Sequence, residues 1–392
     1  MRHILKQNNL DLLRETKRME RLLKEREDEI PEELEAYYQW AIHACEGLRS
    51  RVEQNLKFLE RPEDDILQNI HSRTQGLVRA FRLFNQFRAT PILRTQDSDR
   101  LCLKLLQWLH HVHPQVQSLP IAIGDGQPSI LVGDPSSFIR KPVFYRIPST
   151  IQRGLLYLPL LFHEIGHQLY SIHKPEMDSL VRNLQLEIRS SLMPAVRRDD
   201  RQDQRERERR NIIVETWYEW TQELFCDAVG FSVGGAAYLQ AFSLYMRMQG
   251  RGQFHEPPES LEHRSHPVAW IRVQFLADRA RQEGLSSEAE TLESNWSQVA
   301  ESLNVQEDYF GFYETSYLPS VHKTIDHMLV EANPRQFPDN DGRMNSNLSE
   351  LVEYPAHLLN RAWELFLDEP SEYNEWEDRA IQAFLQSDLI EK

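Results

Sequence analysis

The sequence predicts an α+β fold that is predominantly helical with one small β-sheet, and three observations lead there. Apolar positions recur at helical spacing through the first 115 residues and again from 276 to 392. Residues 119–149 switch to short apolar and β-branched runs separated by turn sequences. An apolar stretch, LLYLPLLFHEIGHQLYS at 155–171, follows at once, and a small sheet feeding a buried helix is an α+β arrangement. At 392 residues the chain exceeds the usual size of one domain. These changes divide it into an N-terminal helical region (1–115), a core (116–275) and a C-terminal acidic helical region (276–392).

The elements follow in order. Residues 3–29 carry leucines and charges at helical spacing; Leu5, Leu12 and Met19 lie seven apart, too few for a coiled coil. Pro31 and Pro62 each open a further helix, with acids after the proline at the positive end of the helix. A third helical pattern covers 98–112. Strands are expected at 120–123, 129–132 and 143–147, separated by GDGQP, GDPSS and RKP. After the apolar helix, residues 179–193 and 211–229 read as helices. Between them lies VRRDDRQDQRERERRN, with 7 basic and 5 acidic residues, whose default reading is a solvated helix. GFSVGG at 230–235 marks a turn or close packing, and 251–260 and 332–347 read as loops. Asp339, Asp341 and Gly342 lack EF-hand spacing, because loop positions one and twelve would be Phe337 and Leu348.

Residues 283–392 hold 23 acidic and 6 basic side chains, so the first 282 residues sum to about +2 of the net −15. That balance argues against nucleic-acid binding, which needs Lys and Arg to displace counterions. Five acids interleaved in the Arg-rich 197–210 segment weaken that reading there too. No apolar run is long enough to span a bilayer, and the amino terminus has no apolar signal region. Three scattered cysteines (Cys45, Cys102, Cys226) fit a reducing compartment, so the expected location is cytoplasmic.

The chemistry concentrates in His163-Glu164-Ile165-Gly166-His167. On a helix, residues four apart share a face, so His163 and His167 can offer two imidazole nitrogens to one ion. Glu164 projects beside the ion, where a carboxylate can take a proton from water. A catalytic zinc uses three protein ligands and leaves one position open. Burying this trio without a partner would be costly. The third ligand has two candidates. Glu187 lies 20 residues after His167, but Ser191 stands where that pattern wants an aspartate. Glu219, Glu223 and Asp227 are four apart in WYEWTQELFCDAVGF, and Leu224, Phe225, Cys226 and Ala228 suit a helix packed on the first. Glu223 is favoured, with Asp227 one turn on to hold a ligand histidine through its other nitrogen. In EHRSHPVAWIRV, His266 and Arg272 could supply a donor and a positive charge for an oxyanion. Trp217, Tyr218 and Trp220 read as core packing.

Together, H-E-x-x-H, E-x-x-x-D and H-P followed by arginine resemble the gluzincin zinc metallopeptidases, most closely the M48 family of CAAX-processing and heat-shock membrane endopeptidases. The resemblance covers about residues 120–275. It implies a zincin-like metallopeptidase core in which His163, His167 and Glu223 bind one Zn²⁺ and Glu164 is the general base. It further implies that Asp227 braces a ligand histidine, that His266 and Arg272 stabilise the transition state, and that substrates lie along the strand at 143–147. The best-known members sit in membranes, and this chain lacks a spanning segment, so their membrane substrates do not carry over. The expected activity is a zinc endopeptidase acting on a protein or peptide substrate, with the helical flanks available to a regulatory protein partner. The competing expectation is a protein-binding module whose metal site is structural or vestigial.

Overall fold

Apolar residues on one face drive the first helix: in the computed structural model α1 (Arg2–Lys24) buries Leu5, Leu12 and Leu23. The structure describes residues 2–61, 66–94, 97–117, 119–124, 129–132, 142–147, 153–192, 200–248, 253–262, 264–305, 308–337 and 347–387. Pro31 precedes one turn of 3₁₀ helix and then α2 (Glu35–Leu59). α3 (Leu67–Phe84), α4 (Thr90–Arg94) and α5 (Asp97–Val112) complete the N-terminal helices. Leu5, Leu59 and Ile70 meet in a cluster of α1, α2 and α3. Inside the same three helices Asn9 donates to Thr74 Oγ1 at 2.9 Å, so a buried amide is satisfied and fixes their register.

The three predicted strands form as β1 (Leu119–Gly124), β2 (Ser129–Val132) and β3 (Pro142–Ile147). The sheet order is β1-β3-β2, and β1 and β3 run parallel with Ile121 opposite Phe144. β3 is therefore central. Both its edges are already hydrogen-bonded, so an extended substrate cannot add to it as the resemblance implied.

Two compact units result: residues 1–107, 118–127 and 131–148, and residues 108–117, 128–130 and 149–392. The sequence predicts a boundary at 275, whereas the described helices after 275 fall in the same unit as those from 153 onward. That unit contains α6 (Leu160–Ile172), α7 (Lys174–Ser191), α8 (Asp200–Gly234), α9 (Ala236–Met248) and α10 (Pro258–Leu261). It continues with α11 (Ala269–Gln282), α12 (Ser286–Ser302), α13 (Leu318–Ala332), α14 (Leu348–Leu351), α15 (Pro355–Asp368) and α16 (Pro370–Gln386). α13 packs on α7 and α8, and α15 packs on α8 and α9. Glu377 of α16 accepts from Leu155 N at 2.7 Å, and Trp363 Nε1 of α15 donates to Leu156 O at 2.9 Å. The chain's late helices thus hold the turn that leads into α6. Residues 338–346, most of the loop between α13 and α14, lie outside the described residues.

α8 is 35 residues long, about 52 Å at 1.5 Å per residue. It starts earlier than the sequence suggested; within the charge run, residues 204–209 form exposed helix with Glu206 half-buried, and residues 196–199 lie outside the described residues. It also ends later: GFSVGG continues the helix to Gly234, and the turn is made by Gly235 at φ +57°. Gly230 and Gly234 serve close packing, since a Cβ at either would fall within 2.6 Å of the Tyr238 or the Phe162 ring. Trp217 and Trp220 are fully buried, which makes them core packing. All three cysteines are buried free thiols. No helix among the described residues is long and apolar enough to cross a membrane.

Candidate metal centre

α6 is buried almost all round. Phe162, Ile165 and Leu169 have no exposed surface, so its polar residues must also face protein. What brings them to α8 is a close crossing. A Cβ at Gly166 would stand 2.8 Å from Cys226 Cα, so only glycine lets the two backbones approach this far. Flanking that crossing, His163 and His167 of α6 meet Glu223 and Asp227 of α8.

His163 Nε2 lies 3.4 Å from Glu223 Oε2, and His167 Nε2 lies 3.7 Å from Glu223 Oε1. His266 Nε2 is 3.3 Å from Glu223 Oε2. Glu223 Oε2 is buried and has no hydrogen-bond partner among the described residues. These separations suit an ion. With bonds of about 2.0–2.1 Å, ligands on a tetrahedral zinc stand about 3.3–3.4 Å apart. Glu223 Oε2 is thus a buried carboxylate oxygen without a hydrogen bond among the described residues, with a nitrogen of His163 and one of His266 at ligand-to-ligand distance, His167 on the other oxygen and Arg272 Nη2 3.8 Å away, a donor set that could hold zinc. Glu187, the other predicted third ligand, is exposed on α7 and, among the described residues, has no hydrogen bond or ion pair to either histidine.

Behind His163 the arrangement is tight. Its Nδ1 donates to Asp227 Oδ1 at 2.9 Å, the bracing that the spacing of Glu223 and Asp227 suggested. Arg272 departs from expectation. Its Nε and Nη2 bind the two Asp227 oxygens at 2.7 and 2.6 Å, and it is only 4% exposed. The guanidinium is committed to a buried carboxylate rather than presented to a substrate, because an unpaired Asp227 there would be costly. His266 does face solvent, with a half-exposed side chain. Ser265 Oγ contacts its Nδ1 at 2.8 Å, and Arg264 Nε donates to its carbonyl at 2.9 Å.

Two neighbours escaped the sequence reading. Tyr238 of α9 donates to Asp227 Oδ1 at 2.7 Å. It has no sequence signal, since it arrives from another helix after the Gly235 turn. Cys226 lies with His163 and His167 in a group whose ligand atoms are all within 4.8 Å. Its position three after Glu223 could have flagged it. Burial, and then the nearby carboxylates Glu223, Asp227 and Glu164, push its thiol well above the ordinary range.

The ionisation states follow from these contacts. Burial alone would lower the His163 pKa, but Asp227 and Glu223 outweigh it and lift it to about 10 in the metal-free chain. Burial, and then the charge on His163, hold His167 down at about 4. Burial opposes ionisation of Glu223, yet His163, Arg272 and His266 keep it below the usual carboxylate range. Glu164 is only 7% exposed, and burial pushes its carboxyl up to about 7, where it can both accept and return a proton at neutral pH. No protein family, curated protein or solved structure matches this chain.

Proposed function

We propose that the chain is a zinc-dependent endopeptidase with a gluzincin-type site of the M48 kind on a zincin-like core. The observation that carries the reading is Glu223 Oε2, a buried carboxylate oxygen without a hydrogen bond, with His163 Nε2 3.4 Å away and the second imidazole beside the same carboxylate. His163, His167 and Glu223 hold the metal. Zinc in such a site acidifies water and polarises a carbonyl. Glu164 takes the proton released as water attacks the peptide carbonyl and delivers it to the leaving amine. Asp227 fixes the orientation of His163, Arg272 keeps Asp227 ionised and in place, and His266 is the exposed donor nearest the carbonyl oxygen. The substrate is a protein or peptide, and the helical flanks are where a regulatory partner would act.

The test is zinc per purified chain together with hydrolysis of an unfolded protein such as casein. One zinc per chain, lost in Glu223→Ala and kept in Glu187→Ala, with hydrolysis lost in Glu164→Gln, is the expected result. No zinc uptake, or full hydrolysis by Glu164→Gln, would overturn it. A second reading, a binding module with a structural metal, is favoured by one observation: His266 Nε2 at 3.3 Å from Glu223 offers a fourth donor that could close the site. Absorption spectra of the cobalt-substituted chain that do not respond to added azide would support that reading.

A further inference from the structure

Asp227 Oδ1 accepts from three donors: Arg272 Nη2 at 2.6 Å, Tyr238 Oη at 2.7 Å and His163 Nδ1 at 2.9 Å. The arginine and the histidine belong to the motifs that the sequence announces; the tyrosine does not. Tyr238 has no exposed surface, and its ring lies in a slot that only glycine at 230 leaves open, since a Cβ there would meet the ring at 2.5 Å. A phenylalanine would fill that slot equally well, so packing does not account for the hydroxyl. Burying a hydroxyl is unfavourable unless it is hydrogen-bonded, and here its acceptor is Asp227.

The direction of the hydroxyl is set from outside the motifs. Gly235 turns the chain at φ +57° between α8 and α9. Asn360 of α15 clamps that elbow from both sides: its Nδ2 donates to Gly234 O at 2.7 Å, and its Oδ1 accepts from Ala237 N at 2.9 Å. Tyr238 is the next residue. Its oxygen also stands 3.4 Å from His163 Nδ1, so the Nδ1 hydrogen is bracketed by two oxygens and Nε2 is left facing Glu223.

We infer that Tyr238 is a positioning residue for the metal site: delivered by the Asn360-clamped elbow, its hydroxyl holds Asp227 against His163 and so governs how tightly the site retains its metal. The inference rests on the zinc reading above. Residues that orient a ligand histidine from behind typically alter metal affinity 10–100-fold when removed.

The experiment compares wild type and Tyr238→Phe, as full chains, by zinc titration against a competing chelator. Cobalt absorption spectra and the melting of the metal-free proteins are recorded alongside. The expected result is a zinc Kd raised about 10–100-fold and an altered cobalt spectrum, with metal-free melting little changed. Zinc Kd within twofold of wild type and an unchanged cobalt spectrum would overturn the inference and leave the zinc reading standing. Wild type that takes up no zinc would overturn both. Asn360→Ala is the second variant. A smaller loss of zinc affinity in the same direction supports delivery through the elbow, and loss of stability at unchanged zinc affinity counts against it.

Discussion

Glu164→Gln should stabilise the metal-free protein, and the gain should depend on pH. The carboxyl titrates at about 7 in the folded chain, chiefly because burial disfavours its charge, against an ordinary value of 4.5. An acid whose folded pKa is raised binds its proton more tightly in the native state. Stability is therefore lost as pH climbs from about 4.5 through about 7 and then stays constant. At 1.36 kcal/mol per pH unit the full loss is about 3 kcal/mol. Glutamine fills the same space without a charge to desolvate, so its advantage is about 1 kcal/mol at pH 5 and about 3 kcal/mol at pH 8. The assay is urea unfolding of both proteins, stripped of metal with chelator, at those two pH values. An advantage that is equal at both, or a variant less stable than wild type at pH 8, would refute the argument that burial holds this carboxyl near neutrality. A group that costs the fold this much while sitting beside the imidazoles of His163 and His167 fits the trade of stability for function.

The other predictions concern the same helices. Zinc must displace the proton that His163 carries up to about pH 10, so affinity should rise about tenfold per pH unit between pH 6 and 9 in chelator competition. Arg272→Met should cost about 3–5 kcal/mol in urea unfolding, because it strands the fully buried Asp227. Lysine should not rescue it, lacking the fork that engages both oxygens. Gly166→Ala sets two effects against each other. Alanine favours a helix interior by roughly 0.5–1 kcal/mol, but its Cβ would lie 2.8 Å from Cys226 Cα, a backbone atom that cannot step aside. Overpacking of this kind costs about 1–3 kcal/mol, so the variant should be less stable and bind zinc more weakly, although no ligand is changed.

Local pattern made much of this legible. The three strands fall within a residue of where β-branched runs and turn residues put them, and α6 carries His163 and His167 on one face as their spacing requires. Glu223 and Asp227 could be chosen because they are one turn apart on a helix with apolar neighbours. What spacing could not reveal is which of several plausible partners a charged group takes. Arg272 is followed by no signal that it binds Asp227, 45 residues earlier, and Tyr238 depends on an elbow clamped by Asn360, over 120 residues later. The expected boundary at 275 marks a change in composition that packing does not follow: α13 and α15 lay their apolar faces on α7, α8 and α9.

The tie between Glu377 and Leu155, 222 residues apart, has a consequence in time. Translation adds about 5–20 residues per second, so on the order of 10–45 s separates the emergence of these two residues. Through that interval the turn entering α6 lacks the carboxylate that satisfies its peptide nitrogen and the indole that binds the next carbonyl. The turn that enters the histidine-bearing helix is therefore secured by a residue translated 222 positions after it. A nascent or prematurely ended polypeptide would carry His163 and His167 on a helix whose entering turn lacks both of these contacts.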